Sequence, residues 1–415
     1  MLDDYDDPTD LSRLAVPQVG SLEATGDPFQ PYRLLDAAGA TIPAGDAYFA
    51  ELVACGRPAT TQRSYGMDLL RWFRFLSAVG VDWGQATRVE ARDFCRWLAA
   101  TPKPSRPHWR RPVDPPARQQ PPSTPNALTG KCPPGPRYAP ATVAHAESVL
   151  RAFYDFHLEV GTGPMVNPFP LVRGARRGRV EVHHNPLEPF GKTRRGRYRP
   201  KLTTHAPRMI PDEAFDQLFA KLSSHRDRAL VAFYVSAGVR ASELLGATVG
   251  DADPGRQLIT VTRKGTRARQ QVPASPDAFV WLRLYQAELD ADVPTGPEQP
   301  LWWTLRRPRR PLGYDATRAM FNRANAAAGA NWSLHDLRHT AAYRMARDPA
   351  VPLTDIQWVL GHARLSTTER YLNSQLRDVI ETMLAFYAKG PERPAAPAAG
   401  YRAESLEALF GKAAK

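Results

Sequence analysis

Hydrophobic residues begin to recur at helical spacing from Thr60. Tyr65, Leu69, Trp72, Phe73 and Leu76 fall on one helical face, and Phe94, Trp97 and Leu98 mark a second helix. A third runs from Thr142 through Val149, Leu150, Phe153, Tyr154 and Leu158 and closes at Gly161. Between them, residues 102–140 hold 13 prolines in 39 positions and few large apolar groups. Proline removes a backbone donor and blocks helix interiors, so this stretch reads as a loop inserted within one helical domain. Residues 1–45 have an acidic start, scattered prolines and little periodicity, and are expected to form an irregular arm.

The C-terminal half repeats the helical pattern around one short sheet. Asp212 is expected to cap a helix through Phe215, Leu218 and Phe219, and Leu230–Ser236 is an apolar helix ended by Gly238. Leu258-Ile-Thr-Val-Thr and Gln270-Gln-Val-Pro flank Lys264-Gly265-Thr266-Arg267, two β-prone runs around a glycine-containing turn, which predicts a hairpin. Helices are predicted at 315–328, 333–347, 354–360, 366–372 and 375–388. The expected fold class is mainly α with a small antiparallel β-hairpin sheet. The expected domains are a helical one over 46–172, a linker over 173–204, a second domain over 205–390 and a tail over 391–415 with a short helix. Leu406, Leu409 and Phe410 form an apolar stripe in that tail, able to dock on a neighbouring protomer or to pack in cis.

At 415 residues the chain is longer than a single core supports, and 43% hydrophobic residues exclude a wholly disordered chain. The apolar run Ala229–Val239 is about half a membrane span. The acidic N-terminus is the opposite of a basic secretory signal, and three scattered cysteines suggest neither a disulfide framework nor a zinc site. A cytoplasmic, nucleoid-associated prokaryotic protein is expected. The net charge of +13 suggests a polyanionic partner, nucleic acid before membrane, although an arginine-rich proteome alone would also make a basic protein. Residues 173–201 hold ten Arg or Lys against Glu181 and Glu188. They read either as a solvated loop or as a strap in which Arg194, Arg195, Arg197 and Arg199 cross a phosphate backbone.

Four segments hold candidate chemistry. Gly238-Val-Arg240-Ala-Ser-Glu243 places Arg240 at a helix start with Glu243 one turn on. Lys264 sits at the hairpin tip among Arg263, Arg267 and Arg269, in a chain with nine lysines against 46 arginines. A lysine gives up a proton far more readily than an arginine, so Lys264 suits a proton donor, or equally a plain phosphate contact or an exposed turn residue. Ser333-Leu-His335-Asp-Leu-Arg338-His339 opens a helix with a Ser333/Asp336 capping box and puts His335 and Arg338 on one face. In Leu360-Gly361-His362, the glycine caps one helix and leaves His362 on a tight corner. Ser366 with Glu369 is expected to cap the next helix, which carries Tyr371. Taken singly, Tyr371 would more often be a core aromatic than a nucleophile.

In order, the set Arg240, Lys264, His335-x-x-Arg338, His362 and Tyr371 resembles the tyrosine recombinase (phage integrase) family. The words Ala-Gly-Val-Arg-Ala-Ser-Glu, His-Asp-Leu-Arg-His-Thr and Leu-Gly-His match too. The likeness is strong over 205–388 and looser over 45–170, and the Pro-rich insertion, acidic arm and tail depart from it. It implies a two-domain C-shaped clamp with a DNA-binding core-binding domain and a catalytic domain. It also implies site-specific cutting and rejoining of double-stranded DNA through a 3′-phosphotyrosine. In that scheme Tyr371 attacks, His335 accepts its proton and Lys264 protonates the leaving oxygen. Arg240, Arg338 and His362 hold the phosphate, Glu243 supports, and Arg263 and Arg267 join the linker arginines on DNA. A tetramer on DNA is implied, with accessory proteins and no membrane. No Walker motif or Mg²⁺-type carboxylate cluster is seen, so neither ATP nor a cofactor or metal is expected. The rival readings are a catalytically silent DNA-binding protein on this fold, a type IB topoisomerase and a helical interaction scaffold.

Overall fold

In the computed structural model, residues 11, 14–104, 124–133, 135–172, 195–202, 208–290, 293–369 and 384 are described. The chain divides into two units: Met1–Pro125 with Cys132–Thr204, and Asn126–Lys131 with His205–Lys415.

The N-terminal unit begins with a hairpin, β1 (Ser21–Ala24) and β2 (Tyr32–Leu35), paired antiparallel with Ser21 opposite Leu35. The expectation of an irregular arm is corrected over the described residues 14–45. Each strand has only four residues, too few to display alternation, and what secures the arm is distant. Arg74, on a helix 50 residues further on, donates to the carbonyls of Val19 at 2.6 Å and Gly20 at 2.9 Å. Helix α1 (Pro43–Ala54), also unpredicted, starts with proline at its first turn, where a missing N–H costs nothing.

Helices α2 (Ala59–Val79), α3 (Arg88–Ala100) and α4 (Pro140–Glu159) follow the predicted hydrophobic faces. Their core is aromatic. Trp72 is fully buried, with the Phe94 ring 5.1 Å away edge-on, and Phe75, Tyr154 and Phe169 around it. Its indole N–H is satisfied by Tyr154 Oη at 2.9 Å, and that hydroxyl donates to Trp83 O at 3.0 Å. The expected linker differs from the structure at its end. Val172 N donates to Arg195 O at 2.8 Å and Arg197 N to Pro170 O at 2.9 Å, while Tyr198 packs on the core. Gly196 lies so close to α4 that a Cβ there would sit 1.9 Å from Glu147 Oε1. Residues 195–199 are therefore part of the N-terminal unit.

The C-terminal unit contains α5 (Asp212–Ala220), α6 (His225–Ala237) and α7 (Ala241–Leu245). Next come strands β3 (Ala252–Asp253), β4 (Leu258–Thr262) and β5 (Arg269–Pro273), then α8 (Pro276–Ala287). The unit continues with α9 (Tyr314–Ala327), α10 (Leu334–Arg347), α11 (Leu353–Leu360) and α12 (Leu365–Glu369). The sheet is antiparallel in the order β3-β4-β5, the predicted hairpin with one short strand added. Helix α6 is buried nearly all round, and its Phe233 meets Trp302 edge-on in the core, where Trp302 stacks on Tyr285. Its charged first turn, capped by Ser224, lies outside the predicted apolar run. Pro211, not Asp212, holds the cap position of α5, and α12 begins at Leu365, one residue before the expected Ser366 cap. Arg194, Tyr371 and the tail stripe lie outside the described residues.

Candidate active site

The chain turns sharply at Gly238 (φ 61°), which ends α6. A side chain there would press within 2.8 Å of Leu360 Cδ2, so glycine is needed for both conformation and space. Two residues on, Arg240 opens α7, and Glu243 in its first turn reaches back. Glu243 is 2% exposed, yet its carboxylate accepts four hydrogen bonds. These come from Arg240 N at 3.1 Å, Arg240 Nη1 at 2.8 Å, Arg263 Nη1 at 3.0 Å and Lys264 N at 3.0 Å. The supporting role expected of Glu243 falls on Arg240. Burial pushes the Glu243 pKa up. The Lys264 N–H, the Arg240 hydrogen bonds and the Arg240 charge outweigh it and keep the carboxyl below its ordinary value.

Arg263 departs from its expected place on DNA. It is 5% exposed. Beyond Glu243, Nε donates to Gln270 Oε1 at 2.7 Å and Nη2 to Val359 O at 2.5 Å. The Gln270 amide continues to Trp358 O at 2.8 Å. A buried guanidinium that satisfies three acceptors is spent on the fold. It locks the β4–β5 hairpin, which bears Lys264, to the end of α11. Gly361 (φ 61°) lies directly over it, and a Cβ there would stand 2.9 Å from Arg263 Nε. Sequence reasoning missed Arg263 and Gln270 in this capacity, because the α11 carbonyls they hold lie about 90 residues away.

Helix α10 starts with the predicted box: Ser333 N donates to Asp336 Oδ2 at 2.7 Å and Asp336 N to Ser333 Oγ at 3.3 Å. One turn separates His335 from Arg338, but their settings differ. Arg338 is 2% exposed and donates to Gly238 O and Leu360 O, both at 2.6 Å. These carbonyls end α6 and α11, where helix dipoles favour a cation. Arg338 thereby ties the Arg240 turn to the His362 turn. His335 is exposed, with its ring centroid 4.3 Å from that of His339. Crowding of the ring, then the charges of Arg338 and Arg240, push its pKa below the ordinary histidine value.

His362 follows Gly361 on the corner. Its Nδ1 lies 2.9 Å from the hydroxyl of Thr368, a fully buried residue that sequence reasoning had not singled out. Burial, then Arg338, Arg240, Arg263 and His335 in that order, lower its pKa to about 4. His362, Arg338, Arg240, Arg263 and His335 thus share one electrostatic neighbourhood. Arg240, Lys264, His362 and Arg364 line a cleft of about 730 Å³, floored by Arg263 and Gly361 and flanked by Gln357 and Trp358. Arg267 projects from the hairpin tip in the left-handed region (φ 57°) and is exposed. Arg195, Arg197 and Arg199 are exposed on the N-terminal unit, where Arg195 Nη2 donates to Arg199 O and Pro200 O, both at 3.2 Å.

Comparison with known families matches residues 208–377 to the phage integrase family and residues 46–107 to the phage integrase N-terminal SAM-like domain. The chain belongs to the phage integrase family. All six residues of the candidate catalytic set fall within its first matched segment. Among integrase relatives, it is 29% identical to Tyrosine recombinase XerC of Corynebacterium efficiens over 193 residues, 44% of this chain and 59% of the relative. It is 33% identical to Tyrosine recombinase XerD of Pseudomonas aeruginosa over 153 residues, 35% of this chain and 49% of the relative. The chain thus spans about half the length of these curated relatives. In fold it resembles a lambda integrase dimer bound to a COC′ core site, with TM-score 0.52, 15% identity, and coverage of 85% of this chain and 78% of that one. It likewise resembles XerH bound to palindromic difH, with TM-score 0.52, 14% identity, and coverage of 83% and 85%. At such identities the likeness is one of fold.

Proposed function

We propose that this integrase-family chain is a site-specific recombinase. It cuts and rejoins double-stranded DNA through a 3′-phosphotyrosine on Tyr371, assembled as a tetramer on two duplexes. The observation that carries this reading is the gathering of Arg240, Lys264, Arg338, His335 and His362 in one positive neighbourhood beside an open cleft. A phosphodiester passing to its transition state gathers charge on its non-bridging oxygens, and fixed cations and N–H donors aimed there lower the barrier.

In this scheme Tyr371 Oη forms a bond to phosphorus as the bond to the 5′-oxygen breaks. The phenol has a reference pKa of about 10 and must lose its proton. His335, held neutral by its lowered pKa, is fit to accept it. Arg240, fixed by Glu243, presents a preset guanidinium to the phosphate. With a pKa of about 4, His362 serves as a neutral hydrogen-bond donor and not as a charge. Lys264, anchored through its own backbone N–H, supplies the proton for the departing oxygen. The phosphotyrosine keeps the energy of the broken bond, so rejoining requires no ATP.

A duplex nicked close to the cleavage point tests the reading, because loss of the short fragment traps the covalent complex. The wild-type chain should form an SDS-resistant adduct, and Tyr371→Phe should bind the same DNA with unchanged affinity and form none. An adduct in Tyr371→Phe would move the nucleophile to Tyr343 or Tyr387. Binding without an adduct in the wild type would favour the catalytically silent DNA-binding protein.

A further inference from the structure

Within the Pro-rich insertion, Asn126–Lys131 belongs to the C-terminal unit, although Pro125 and Cys132 on either side belong to the N-terminal one. These six residues form a built turn. Asn126 Oδ1 accepts from Leu128 N at 3.0 Å and Thr129 N at 2.9 Å, and Gly130 N donates to Asn126 O at 2.7 Å. The turn is fastened to the α9–α10 connection some 200 residues on. Asn126 Nδ2 donates to Gly329 O at 2.8 Å, and Asn331 Nδ2 donates to Lys131 O at 3.1 Å. The Thr129 hydroxyl donates to Asn331 Oδ1, and Lys131 Nζ reaches Asn331 O at 3.5 Å.

That connection runs straight into the Ser333 cap of α10. Lys131 Nζ also stands 3.9 Å from Asp336 Oδ2, the oxygen that accepts from Ser333 N and Oγ. His335 is next to Asp336. A half-exposed ion pair at that distance contributes little, so the hydrogen bonds of Asn126, Thr129 and Asn331 are the main fastening.

We propose that Asn126–Lys131 is a positioning element that sets the start of α10 and, through it, the placement of His335. The catalytic part of this inference rests on the recombinase reading. Local displacement of a reacting group by about 1 Å can slow a reaction on the order of 100-fold without altering binding.

Asn126→Asp gives the sharpest test. It keeps an acceptor for Leu128 and Thr129 but has no N–H for Gly329 O, so the turn persists while that bond of its mount is lost. A second pair, Lys131→Met and Lys131→Arg, removes and restores the cation. The probes are the ¹³C-labelled His335 ring resonance, DNA affinity, and the single-turnover rate of covalent complex formation on the nicked duplex. Asn126→Asp should move the His335 resonance and slow the adduct about 10- to 100-fold at unchanged affinity. Lys131→Met should move the resonance in the same direction, and Lys131→Arg should restore it. An unmoved His335 resonance in both Asn126→Asp and Lys131→Met overturns the proposal, as does equal loss of rate and affinity. If the wild type forms no adduct, the recombinase reading fails, and the His335 resonance alone decides the positioning claim. If Asn126→Asp does not fold, Thr129→Val, which removes the hydroxyl donated to Asn331, decides it by the same readouts.

Discussion

Glu243 and Arg263 form an ion pair 3.0 Å apart, with side chains 1% and 5% exposed. The pair joins the helix that bears Arg240 to the hairpin that bears Lys264, and Arg263 extends the link to the helix before His362. Removing one member of a buried pair leaves the other uncompensated, at about 3–5 kcal/mol. Arg263→Ala and Glu243→Gln should each lower the unfolding free energy from urea titration by that order. Arg263→Lys should recover only part, since an ammonium cannot span Glu243, Gln270 and Val359 O together. Near-wild-type stability of Arg263→Ala would mean that the pair is not what holds the site.

The same carboxylate has a pH signature. Its pKa in the folded chain lies below the unfolded value, so its contribution is complete above the unfolded pKa of about 4.5 and is lost as pH falls through the lowered value. Unfolding midpoints of the wild type and Glu243→Gln should therefore converge on acidification. Parallel curves down to pH 3 would show that Glu243 is not the group being protonated.

His362 should stay neutral through the physiological range. Its pKa of about 4 predicts ring resonances in ¹H–¹³C spectra that do not move between pH 8 and 5.5, then titrate below. Because the folded value is depressed from 6.5, stability should fall as pH drops from about 6.5 toward 4. Substituting Thr368→Val removes the hydroxyl on Nδ1 and should slow covalent complex formation while leaving DNA affinity intact. A ring that titrates near 6.5 would contradict the crowding of positive groups around it.

Lys264 is separable from Arg240 by chemistry. If its ammonium protonates the 5′-oxygen, Lys264→Ala should slow cleavage about 10²–10⁴-fold with a much smaller loss of binding. Sulfur in place of the bridging 5′-oxygen leaves as a thiolate without a proton, so that substrate should largely rescue Lys264→Ala and not Arg240→Ala. Equal failure of both would make Lys264 a phosphate contact and His335 the next candidate donor.

Among the linker arginines, geometry now separates roles. Arg197→Gln and Arg199→Gln should each flatten the slope of log affinity against log salt by about one unit if each meets a phosphate. Arg195 is engaged with the carbonyls of Arg199 and Pro200, so Arg195→Gln should act more on the thermal stability of the N-terminal unit. Unchanged slopes for Arg197 and Arg199 would leave them as solvated surface charges.

What the sequence by itself determined was local. Helices α2, α3, α4 and α10 were legible because a 3.6-residue period and a Ser333/Asp336 box depend only on near neighbours. The hairpin at Lys264 was legible from β-prone runs around a glycine, and the ordered polar set pointed to the family. Helix α8 carries a readable signal too, in Phe279, Leu282 and Tyr285 on one buried face. Tertiary structure alone decided what those residues touch. Arg263 reads as one more basic residue at a hairpin tip, and only the approach of α11 turns it into a buried clamp. The β1–β2 arm is pinned by Arg74 across more than 50 residues, and the Asn126 turn by Gly329 and Asn331 across about 200. Such contacts follow from packing of distant segments, and no periodicity or capping pattern encodes their partners.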